Sequence, residues 1–132
     1  MSQSLGPKEL RFHIVRFKEI DSTNTYAAQC AREGAKEGTV IVSDYQTKGR
    51  GRFRRKWISA PGENLLFSII LRPGHGAHRT PLLTLLAAHV LKSTLEAYAG
   101  VSCTIKKPND IMIKGKKVCG ILTEATSKNG EV

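Results

Sequence analysis

Apolar and polar positions along this chain repeat in short runs, and the period switches between two and about 3.6 residues. Phe12, Ile14, Phe17 and Ile20 alternate imperfectly with basic residues, which predicts a half-buried strand over Arg11 to Ile20. The capping residues Asp21-Ser22-Thr23-Asn24-Thr25 then precede Tyr26-Ala27-Ala28-Gln29-Cys30-Ala31, the start of a helix that Gly34 and Gly38 end. Thr39 to Ser43 reads as a short buried strand. Pro61-Gly62-Glu63-Asn64 marks a turn, and Leu65 to Leu71 is a strand apolar on both faces. Arg72 to Arg79 connects to a long helix over Leu82 to Ala99, with Thr80 as N-cap, Pro81 in the first turn and Gly100 as the stop. Val101 to Ile105 is again a strand. Ile111 to Ile113 and Val118 to Thr123 pair as a hairpin across Lys114-Gly115-Lys116-Lys117. The succession predicts an α/β (α+β) domain, a mixed β-sheet packed by helices. The final strand leaves an edge exposed, which offers a second copy of the chain a place to pair.

Composition narrows this only slightly. A chain of 132 residues is one domain at most and long enough to bury a core. Three cysteines without a Cys-x-x-Cys pair argue against a disulfide framework and for a cytoplasmic location. The apolar run around Leu82 to Leu91 is too short to cross a bilayer, and Met1 to Arg11 has no signal-peptide core. Residues 1–10 read as a flexible leader, too short for a helix-turn-helix module, so DNA is not among the expected partners.

Charge changes the picture more. The net charge is +10, and Lys48-Gly49-Arg50-Gly51-Arg52-Phe53-Arg54-Arg55-Lys56-Trp57 supplies +6 of it without one acidic residue. Such a segment cannot order itself against its own repulsion, whereas an anion held in guanidinium forks would order it. Glycines let backbone approach that anion, and Trp57 offers a flat face to a base. Neither a P-loop nor a dinucleotide fingerprint is present, since Arg54 stands where the latter needs Gly. His75-x-x-His78 has no Cys or Glu nearby, so no protein-held metal is expected. The short run Ser22-Thr23-Asn24 exceeds what one helix cap requires, which leaves polar groups for a ligand.

Taken together, Asp21-Ser22-Thr23-Asn24, Tyr45-Gln46, Gly49-Arg50-Gly51-Arg52 with Arg55 and Trp57, Lys106-x-Pro108-Asn109-Asp110 and Lys117-Val118-Cys119-Gly120-Ile121-Leu122-x-Glu124 resemble biotin protein ligase, over about Phe12 to Glu124. The resemblance implies a fold like that of class II aminoacyl-tRNA synthetases, with residues 11–132 forming part of the catalytic domain. It implies two steps: biotin and ATP, with Mg²⁺, give biotinyl-5′-AMP, and a lysine of a biotin carboxyl carrier protein then takes the biotinyl group. Ser22, Thr23, Asn24 and Gln46 would surround the ureido ring and side chain of biotin. Arg50, Gly51 and Arg52 would line biotin and its activated carboxyl, and Arg55 and Trp57 the nucleotide. Lys106 would bridge carboxyl and phosphate, making Lys106 and Arg52 the catalytic pair. Gly120 reads as close packing or a bulge in its strand rather than a ligand contact.

The family usually carries Gly where Arg54 stands and Trp where Lys107 stands, and it continues into further strands and a small barrel. Two alternatives stay open: a biotin- or adenylate-binding remnant without transfer, and a nucleic-acid binder using Arg50 to Arg55. Lipoate ligase shares the fold but would lack this Gly-Arg-Gly-Arg loop.

Overall fold

The computed structural model describes residues 11–74 and 79–125; the expected leader and the His75/His78 pair lie outside them. The described residues fall into two compact units. One runs up to Thr47 and resumes over Ser59–Arg72; the other takes Lys48–Ile58 and the residues from Pro73 onward.

In the first unit, strand β1 (His13–Phe17) lies parallel to β2 (Thr39–Ser43), and β2 lies antiparallel to β3 (Leu66–Ile69). The central position of β2 explains its composition: Thr-Val-Ile-Val-Ser has β-branched residues where both neighbours must be met, and Ile41 is fully buried. Helix α1 (Thr23–Arg32) joins β1 to β2 and lays Ala27 on Ile41 and Ile70. Val15, Phe17, Ile20, Tyr26 and Cys30 close around them, with Phe17 and Tyr26 meeting edge to face at 4.9 Å. The expected first strand is two residues shorter at its start and three at its end, because its register with β2 stops at Phe17–Ser43. In β3 the side chains alternate: Leu66 and Ser68 are buried, Phe67 and Ile69 exposed. The strand is apolar on both faces as expected, but only one is covered among the described residues.

In the second unit, helix α2 (Thr80–Ala99) ends as expected, with Gly100 in the left-handed region at φ 65° and its N–H donating to Glu96 O. Its start corrects the expectation. Arg79 is the N-cap residue without a side-chain cap, and Thr80 is already helical. Strands β4 (Thr104–Lys106), β5 (Asp110–Ile113) and β6 (Lys116–Gly120) form an antiparallel meander with Ile111 buried at its centre. The hairpin is tighter than expected. Lys114 and Gly115 both take positive φ (50° and 74°), as a two-residue turn of the type favoured by strand twist demands. Lys116 and Lys117 therefore belong to β6 and not to the loop. The Lys107–Pro108 peptide is cis. Asn109 does more than turn the chain: its carbonyl accepts from Ile121 N–H at 3.0 Å, and its Nδ2 donates to Ile121 O at 2.8 Å.

Candidate functional site

The first group of candidate residues sits where α1 begins. Ser22 is the N-cap, extended at φ −157°, and its hydroxyl accepts the Thr25 N–H at 3.3 Å. The chain pairs Ile20 with Gln46, through Ile20 N–H to Tyr45 O (3.1 Å) and Thr47 N–H to Ile20 O (2.9 Å), so Gln46 comes up beside the helix start. Its Oε1 then accepts twice from Thr23, from the backbone N–H at 2.8 Å and from Oγ1 at 3.0 Å. One orphan amide of the helix is thus satisfied by Gln46 and another by Ser22. Because Oε1 is committed as acceptor, the amide is oriented, and Nε2 points its donors elsewhere.

Ser68 completes this group, and sequence reasoning missed it. Its hydroxyl lies 2.8 Å from Thr23 Oγ1 and in contact with Asn24 Oδ1, with Ser22, Thr23 and Ser68 all buried. The signal available was the single polar residue inside Leu65 to Leu71, at the alternation position that faces α1. Ser22, Thr23, Asn24 and Gln46 therefore converge as the sequence predicts, with Ser68 as their floor. Buried hydroxyls beside half-buried, oriented amides offer matched donors and acceptors to a small polar group.

The second group is the basic segment, which forms a tight hairpin rather than an irregular loop. Trp57 N–H donates to Gly49 O at 2.9 Å, Gly51 N–H to Arg55 O at 2.7 Å and Arg55 N–H to Arg52 O at 3.1 Å, with Arg50 facing Lys56. A turn of 3-10 helix over Arg52–Arg54 forms the tip, where Phe53 (φ 57°) and Arg54 (φ 59°) are both left-handed. The Arg52 guanidinium stacks on the Phe53 ring at 4.8 Å. Backbone pairing, this stacking and an ion pair from Arg50 to Glu124 (2.7 Å) offset the repulsion that composition alone emphasises. The cations of Arg52 and Arg55 carry no ion pair among the described residues.

Trp57 is held from two sides. The Lys117 ammonium stands 4.9 Å from its ring centroid, and Gly120 lies so close that a Cβ there would approach Trp57 Cζ3 to 2.8 Å. Lys117 also pairs with Asp110 at 3.0 Å. The lysine that meets the hairpin's aromatic is thus Lys117, a residue expected in the turn and found in β6. Lys106 is exposed at the end of β4, opposite Asp110 in register, with no ion pair among the described residues. Beside Lys117, the Cys119 thiol is pushed up by burial and by the Asp110 charge, with Lys117 pulling the other way. No group of three or more metal-ligating side chains occurs among the described residues, and no helix there is long and apolar enough to cross a membrane.

Comparison with known proteins identifies a family for the chain. The model of the biotin/lipoate A/B protein ligase family matches residues 16–132. The bifunctional ligase/repressor BirA of Bacillus spizizenii is 43% identical over 137 residues, covering 97% of this chain and 42% of that protein. Among solved structures, the Aquifex aeolicus biotin protein ligase in complex with biotin and ATP superposes with a TM-score of 0.68 at 36% identity, covering 86% of this chain and 47% of that one. The Leishmania major ligase in complex with biotinyl-5-AMP gives 0.63 at 29% identity, covering 86% and 52%. The chain thus spans about half or less of each of these proteins. The family match over residues 16–132 and the Bacillus spizizenii relative together show that the chain belongs to the biotin/lipoate A/B protein ligase family.

Proposed function

We propose that this chain carries the biotin-activating part of a biotin protein ligase, joining biotin to AMP and passing the biotinyl group to a lysine of a carrier protein. The observation that carries the reading is the cationic hairpin Lys48–Trp57, folded and with Arg52 and Arg55 in no ion pair among the described residues, in a chain similar to a ligase solved with biotin and ATP. Bringing a carboxylate to a polyphosphate is electrostatically unfavourable, and fixed cations offset that repulsion most in a closed, water-poor site.

In this reading Ser22, Thr23, Asn24 and Gln46, with Ser68 beneath them, match the ureido N–H and C=O groups of biotin. Arg50, Gly51 and Arg52 serve the activated carboxyl, Arg55 and Trp57 the nucleotide. The bridging lysine falls to Lys106, exposed at the end of β4 and without an ion pair among the described residues, whereas the ammonium of Lys117 is already taken up by Asp110 and Trp57. Mg²⁺ would arrive with ATP, held by phosphates and water, since the described carboxylates Asp110 and Glu124 are already engaged by Lys117 and Arg50. The carrier protein and a second copy of the chain are the proposed partners.

Biotin-dependent exchange of pyrophosphate into ATP tests the first step. Exchange that requires biotin supports the activation reading. Biotin binding by calorimetry with no exchange identifies a binding remnant, and absence of biotin binding refutes both. Salt-sensitive oligonucleotide binding that ignores biotin would favour the nucleic-acid alternative.

A further inference from the structure

Glu124 closes the Lys117-to-Glu124 motif, and the reading above gives it no task. In the structure its carboxylate receives both arms of the Arg50 guanidinium, Nη1 to Oε2 at 2.8 Å and Nη2 to Oε1 at 2.7 Å. This two-pronged geometry is the strongest form of an arginine–carboxylate contact and fixes orientation as well as distance. It reaches across 74 positions of sequence, from the first arm of the basic hairpin to the segment after β6. The hairpin itself has no acidic residue, so its folding must draw on counter-charge from outside. Arg50 also sits opposite Lys56 at the hairpin's base, where like charges face each other.

We propose that Glu124 is a positioning residue: it clamps Arg50 and thereby holds the base of the basic hairpin, so that the cations nearer the tip are presented to an anionic ligand. Arg50 then acts as a strut whose guanidinium stays on Glu124, and any approach to biotin at this position is made by backbone. The identity of the ligand rests on the biotinyl-adenylate reading; the clamp itself does not.

Hydrogen exchange of the Gly51 and Trp57 amides, which close the hairpin, reads the clamp without any ligand. Glu124→Gln removes the charge, and Arg50→Lys keeps the charge but cannot fork. Each variant is expected to lower protection of both amides by about fivefold while the Ile41 amide, in the centre of the first sheet, keeps its protection. Each should also speed dissociation of biotinyl-5′-AMP by a similar factor, with biotin affinity changing less. Reversing the pair, Arg50→Glu with Glu124→Arg, should recover protection. Unchanged Gly51 and Trp57 protection in Glu124→Gln, or Arg50→Lys behaving as the parent, overturns the clamp. If the parent protein fails to retain biotinyl-5′-AMP while the amides respond as stated, the ligand reading falls and the clamp stands. If the parent retains it and Glu124→Gln releases it no faster, the positioning role is refuted.

Discussion

A methyl group at Gly120 would lie 2.8 Å from Trp57 Cζ3 and 3.1 Å from Cη2, closer than packed carbons tolerate. Gly120→Ala must therefore displace a ring that Lys117 holds from another side, an overpacking that typically costs about 1–3 kcal/mol. A lower thermal midpoint, with the Trp57 fluorescence altered, is the expected result. The expectation of close packing at Gly120 is thus met by a specific neighbour that the sequence could not name. The lysines make a second case. Lys106→Ala should lower biotin-dependent pyrophosphate exchange by about 10²-fold, the usual loss when one preorganised donor is removed. Lys117→Ala should cost less in exchange, because that ammonium is engaged by Asp110 and Trp57; the reverse order in the exchange assay would move the bridging role to Lys117. The resemblance pointed to Lys106 because the spacing of its motif is visible, whereas the position of Lys117 depends on two positive φ angles at Lys114 and Gly115.

The basic hairpin is the element in which composition and conformation disagree. Six cations in ten residues argue for a chain that stays open, yet backbone hydrogen bonds from Gly51, Arg55 and Trp57 close it. Its tip carries a conformational load: Phe53 and Arg54 both hold left-handed φ, where a side chain costs roughly 1–2 kcal/mol per residue. That supplies a physical reason for glycine at the Arg54 position in the family. Arg54→Gly should stabilise the tip, and a thermal midpoint raised by a degree or more in melting experiments is the check. Arg52→Ala acts on the same element from the ligand's side. On the proposed function, in which the arginine serves mainly the phosphate, it should shorten retention of biotinyl-5′-AMP far more than it weakens biotin binding. Dissociation kinetics and calorimetry compare the two directly, and equal losses would show that Arg52 does not distinguish phosphate from biotin.

Across the whole chain, a net charge of +10 favours anionic ligands and makes their binding sensitive to ionic strength. Raising salt should weaken binding of the adenylate, met by several cations, more than binding of biotin with its single carboxylate; affinities measured across a salt series provide the test. Each unit holds its own group of candidate residues: donors and acceptors at the start of α1 in the first, cations and the Trp57 anchor in the second.

The sequence alone determined the element order, the αL stop at Gly100, the buried β2 and the polar run at the start of α1, because each depends on local periodicity or on one residue's backbone preference. It also singled out the arginine segment, since charge is legible without coordinates. Only the tertiary structure decided that Gln46 and Ser68 meet Thr23, that Lys117 stands on Trp57, and that Glu124 takes Arg50. Those contacts join residues tens of positions apart, and their geometry is set by strand register and turn conformation, which no local pattern encodes.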